Sequence, residues 1–186
     1  MKNSPLSSLL RSVIIFIIIA FAISLFRNEL IIRELPDKLK ESARIGAMLS
    51  SIMTLVVTVF LISITCLSTW YFLQIHNLKI DSGHFISCIT ILFIAFIASE
   101  LTKGFAIVIV FVDEVQNLSS DFEKIDLTKT SFYKIAMGLD ILFVIIGLGL
   151  FAEKLIKDFR YPVKDSIITV SYFTSTVTFI LFLLNI

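Results

Sequence analysis

Charge is scarce in this chain. Only 17% of its 186 residues are Asp, Glu, Lys or Arg, against about 25% in an ordinary soluble domain. Apolar residues make up 57%, and the mean hydropathy is +0.96. A water-soluble domain of this size has too little interior to hide that much apolar surface. Lipid is therefore the expected solvent for most of the chain. The net charge of +1 gives no basic field to attract nucleic acid, so a nucleic-acid partner is excluded.

The groups that chemistry needs are also few. The two cysteines, Cys66 and Cys88, sit inside apolar runs without CxxC spacing, which argues against a disulfide framework or a zinc site. His76 and His84 flank a short connector without carboxylate or thiol company. No metal site and no cofactor are expected. HExxH and GxSxG are absent, as is a glutamate pair of the intramembrane CAAX-protease type. Ser131 and Lys134 spell S-x-x-K without the companion motifs of that class. The chain is expected not to be an enzyme.

What the sequence does hold is long apolar runs. They place transmembrane helices at about 9–26, 47–75, 85–112, 132–151 and 166–186, each close to or longer than the ~20 residues that cross a bilayer. The expected architecture is all-α, a polytopic membrane bundle of about five helices forming one domain over 1–186. The first run also allows a signal-peptide reading, because Ala20-Phe21-Ala22 mimics a cleavage motif, but Ile23 to Phe26 continue the run beyond it. Residues 28–45 form a charged connector, with Leu30, Ile31, Leu35 and Leu39 at roughly helical spacing and Pro36 as a break. A short amphipathic segment at the membrane interface is expected there. Residues 76–83 are a tight turn, 113–129 a polar, mostly acidic loop and 153–164 a basic connector.

Four polar features lie inside the runs. Thr54, Thr58, Thr65 and Thr69 fall near one helical face, as hydroxyls do when they pack helices and bond back to carbonyls. Gly138, Gly147 and Gly149 would let helices approach closely. Glu100 and Lys103 are three apart on one helix and can neutralise each other. Gly104 offers the alternative of a helix break, with 105–112 re-entrant. Asp140 stands alone in the centre of the fourth run. Charges at membrane depth are costly and mark function by default. The Asp140 carboxyl is expected to be protonated or hydrogen-bonded and to face the bundle, where threonine hydroxyls or Lys103 would meet it.

Five spans put the termini on opposite sides. Lys2, Arg11, Lys79, Lys154, Lys157, Arg160 and Lys164 share the N-terminal side, against eight Lys and Arg opposite. The count is nearly tied. The terminal amine and the short basic last connector tip the N-terminus toward the cytoplasm, in a multi-pass protein of the cell membrane.

Residues 139–158 carry a likeness. Leu139-Asp140, Phe143, the glycines from Gly147 to Gly149, the basic residues from Lys154 to Lys164 and the last apolar run follow one another in an order that resembles the Yip family of Ypt-interacting membrane proteins. The long helix, brief polar turn and second apolar helix around 76–84 look similar too. The chain departs from the family pattern at Ile145-Ile146, where a Trp is common, and at Ser99-Glu100, near a frequent Pro. The resemblance implies five spans, a cytoplasmic N-terminus and no catalytic activity. Eukaryotic members bind small GTPases and help shape vesicles; bacterial ones look like accessory membrane subunits, some beside ABC-type exporters. With residues 1–11 alone ahead of the first uncharged run, the accessory type is expected.

Two functions follow as expectations. One is a non-enzymatic accessory or scaffolding subunit that meets the bilayer and another membrane protein, such as an ABC-type exporter, or a second copy of itself. The other is a small ion or solute transporter or channel using Glu100, Lys103 and Asp140.

Overall fold

We describe the protein from a computed structural model, covering residues 4–76, 78, 80–118 and 130–183. Among these residues there are helices and no strand. The long helices are α1 (Pro5–Arg33), α2 (Asp37–Ile75), α3 (Ser82–Ala106), α5 (Ser131–Lys157) and α6 (Val163–Leu183). Beyond α3 the chain continues through a π-helical turn, Ile107–Phe111, into the short α4 (Val112–Leu118). Four stretches, Pro5–Arg33, Asp37–Ile75, Ser82–Val115 and Ser131–Lys157, are long and apolar enough to cross a membrane. These are the dimensions of an integral membrane protein. The expected fifth run coincides with α6, and its last residues, 184–186, lie outside the described residues.

The helix starts are written in local chemistry. Ser4 caps α1 by accepting the Ser7 N–H at 3.2 Å, and Pro5 takes the first helical position, where a missing N–H costs nothing. Asp81 caps α3, its Oδ1 accepting the N–H groups of Gly83 at 2.8 Å and His84 at 3.3 Å. Thr130 Oγ1 accepts the Tyr133 N–H at 3.2 Å to open α5. Glu114 reaches over from α4 and accepts the Ser131 and Phe132 N–H groups at 2.7 and 3.1 Å. Those N–H groups have no partner within their own helix.

Three expected boundaries are corrected. Residues 28–45 are not a separate amphipathic segment. The first helix runs to Arg33 and the second begins at Asp37, leaving Glu34–Pro36 between them. Leu, Glu, Lys and Arg are good helix formers, so the charges extend the helices, and Pro36 alone stops them. The helix also does not break at Gly104, so 105–112 is not re-entrant. The acidic stretch from Asp113 begins as helix through Leu118; 119–129 lie outside the described residues.

The π turn has a reason in the sequence. From Ser99 onward, Ser99, Lys103, Ile107, Phe111 and Val115 are the positions turned inward, and they recur strictly every four residues. On a 3.6-residue helix, each four-residue step carries the stripe about 40° around the axis. A wider i→i+5 turn takes rotation back and keeps Phe111 and Val115 on the packed side.

Tertiary contacts divide the chain into two compact units. The first comprises Met1–Ile14, Val56–Ile94 and Ile145–Ile186; the second comprises Ile15–Leu55 and Ala95–Val144. Helices α1, α2, α3 and α5 each contribute a segment to both.

The first unit is closed by rings. Phe85 meets Trp70 (centroids 5.6 Å apart) and the edge of Phe151 (6.2 Å), and Phe151 meets Phe173 at 6.1 Å. Tyr172 stacks on Phe72 at 3.9 Å. In this way α2, α3, α5 and α6 are joined through aromatic contact. Leu73, Phe151 and Leu155 are completely buried.

The second unit has an apolar cluster of Ile107, Phe111, Val115 and Phe132, with Ile23, Leu30 and Ile31 of α1 packed against it. Its α1 and α2 segments run antiparallel. Ser24 bonds Ser51 at 2.8 Å, Asn28 bonds Ser51 at 3.2 Å, and Glu29 pairs with Arg44 at 2.7 Å, so the α2 number falls as the α1 number rises.

Candidate functional site

Four charged residues of the second unit, Arg27, Glu100, Lys103 and Asp140, form one group. The Lys103 ammonium lies 3.0 Å from Asp140 Oδ1 and 3.3 Å from its Oδ2, and it also donates to Glu100 one turn back. Ser99 Oγ donates to Asp140 Oδ1 at 2.9 Å. Arg27 of α1 interacts electrostatically with Glu100. Two cations and two carboxylates from three helices thus balance one another.

Helical spacing builds this arrangement. Ser99 and Lys103 are one turn apart on α3, so both address the same point on α5. Glu100 stands three residues before Lys103 and reaches its ammonium along the helix. The side chains of Lys103 and Glu100 are only 16% and 18% exposed, whereas Asp140 is 52% exposed. Asp140 is therefore neither isolated nor fully enclosed. It is hydrogen-bonded, as expected, with its partners on one side and its other side at the surface.

Gly104 follows Lys103 directly. A Cβ there would come within 3.3 Å of the Ile23 side chain, so glycine allows α1 to lie close beside the charged turn. Two of the glycines singled out in the sequence do not act in this way. Gly138 and Gly149 are exposed, with open space where a Cβ would stand. Gly147 is buried. A small residue permits close approach but does not compel it.

The threonine face of α2 splits. Thr54 is exposed and bonds the Ser50 carbonyl at 2.9 Å; Thr58 is half-buried. Thr65 and Thr69 are fully buried in the first unit, and Thr65 bonds the Leu61 carbonyl at 2.9 Å. The Thr69 hydroxyl is the one buried side-chain polar atom without a hydrogen-bond partner among the described residues. The hydroxyl that donates to Asp140 is that of Ser99.

Sequence reasoning missed Arg27 and Ser99. Arg27 read as the residue that ends the first span. The signal for it was the helical pattern continuing past Phe26, which carries Arg27 along with Ile23 toward the same neighbours. Ser99 stood out only beside Glu100, near a Pro frequent in the family pattern.

A second polar group lies in the first unit. Tyr161 Oη accepts the Asp81 N–H at 2.8 Å and lies 3.0 Å from His84 Nδ1, while Phe159 stacks on the His84 ring at 3.9 Å. His84 is thereby engaged by the connector after α5. Among the described residues no group of three His, Cys, Asp or Glu could hold a metal ion. Cys66, half-buried, and Cys88, buried, are free thiols.

Comparison of the chain with known protein families, with curated proteins and with solved structures returns no match in any of the three.

Proposed function

We propose that this integral membrane protein is a non-enzymatic accessory or scaffolding subunit of a membrane complex. One observation carries the reading: the intramembrane charges serve one another. Lys103 is shared between Glu100 and Asp140, and Arg27 interacts electrostatically with Glu100. A balanced, hydrogen-bonded charge group ties helices together; a transport site would keep a valence open for its cargo. The resemblance of 139–158 to the Yip family supports the same reading. It also supports a cytoplasmic N-terminus in the cell membrane and a partner of the ABC-exporter kind.

The half-exposed side of Asp140 favours a second reading, a small ion or solute transporter in which Glu100, Lys103 and Asp140 exchange partners with the cargo. Two measurements separate them. Affinity purification of the full chain in mild detergent is expected to bring down a defined membrane protein. Proteoliposomes containing the chain alone are expected to show no ion flux. Flux that is abolished by Asp140→Asn or Glu100→Gln would replace the scaffold with the transporter.

A further inference from the structure

We propose that the connector between α5 and α6 is a binding site for the headgroup of an anionic phospholipid. With the adjoining helix ends it carries Lys154, Lys157, Arg160 and Lys164 against Glu153, Asp158 and Asp165. Lys157 is engaged by Glu153 at 2.7 Å, and the Lys154 ammonium sits 5.9 Å over the Phe159 ring. Asp165 lies in the first turn of α6, where the helix dipole favours a negative charge. Arg160 and Lys164 remain exposed and without an ion pair among the described residues. They are the two cations available to an outside anion.

The connector holds these cations in a fixed frame. Its Tyr161 hydroxyl is bonded to the Asp81 N–H and to His84, its Phe159 ring is stacked on His84, and the Tyr161 N–H closes onto the Leu155 carbonyl at 3.0 Å. Arg160 has φ 57°, a conformation that side-chain-bearing residues rarely adopt and glycine adopts freely. A cation kept at a position that suits glycine points to use of the side chain.

The anion is assigned to lipid by location. The connector joins α6 to a helix long and apolar enough to cross a membrane, and the surface of an anionic leaflet attracts Lys and Arg placed next to such helices. Tyr161 is an aromatic residue of the kind enriched at that depth. This inference does not depend on the scaffold reading; it requires only that the chain lies in a bilayer.

The test uses the full chain purified in detergent. Native mass spectrometry would measure retention of added phosphatidylglycerol, with phosphatidylcholine and inorganic phosphate as comparators. Phosphatidylglycerol is expected to bind well above phosphatidylcholine. Losing both cations in Arg160→Gln/Lys164→Gln should weaken it about thirtyfold, from the attraction typical of one surface cation counted twice. Arg160→Lys/Lys164→Arg should keep the binding, and Lys38→Gln/Lys40→Gln at the start of α2 should not change it. Equal retention of both lipids, undiminished binding by the double variant, an equal loss in the α2 variant, or displacement by inorganic phosphate at matched concentration would each overturn the proposal. If the double variant does not fold, Arg160→Gly decides. Relieved of its φ, it should melt at a higher temperature yet bind phosphatidylglycerol less, and unchanged binding would overturn the site.

Discussion

The two units of this protein solve one packing problem by different means. The first is held by aromatic rings meeting between α2, α3, α5 and α6, with Phe85 and Phe151 at its centre. The second has its own apolar cluster, but its α3 and α5 segments are also tied by an ammonium shared between two carboxylates. Ring packing is adjustable, since loss of one ring leaves a cavity but no unmet obligation. A charge cluster is not adjustable in that way: removal of any member strands the others in a poor solvent for charge.

The sharpest way to break the comparison is to remove one keystone from each. Lys103→Met should cost about 3–5 kcal/mol, the range for stranding a buried charge, read as a lowered unfolding transition in detergent. Phe151→Ala should cost a similar ~3–5 kcal/mol through its cavity. The difference lies in rescue. Adding Asp140→Asn to Lys103→Met, which leaves Glu100 with Arg27, should recover much of the loss, whereas a polar substitution near Phe151→Ala should recover none.

Next in size is Gly104→Val. Its branches would press on Ile23, which a Cβ alone already approaches at 3.3 Å, and a loss of about 1–3 kcal/mol is expected for overpacking. Asp140→Asn should follow at about 1–2 kcal/mol, the loss of charge-assisted hydrogen bonds by a residue that is half exposed. Smallest are Gly138→Ala and Gly149→Ala. Both positions are open, so each should raise stability by about 0.4–1 kcal/mol. A loss at either would show that the glycine is covered by another chain in the assembled complex.

The helices were legible because apolar runs of this length have few other solutions. Their ends were less so. In 28–45 the charges read as a connector, yet Glu29 and Arg44 pair across two helices that simply continue to Pro36. Of the candidate site, Glu100, Lys103 and Asp140 could be picked out because charge inside an apolar run is rare. Lys103 was expected at Asp140 with threonine hydroxyls as the alternative, and the choice between them, which fell to Lys103, depends on the angle at which α3 faces α5. Arg27 was hidden by its place at the end of a run. The glycines misled because an absent side chain is a permission that the fold used at Gly104 and left unused at Gly138.

The claim that Lys103 binds α3 to α5 through Asp140 is tested most directly by a double-mutant cycle. Unfolding in detergent would be compared for the unaltered chain, Lys103→Met, Asp140→Asn and the two together. A coupling of about 1 kcal/mol or more between the substitutions is predicted for groups in direct contact; additive losses would contradict it.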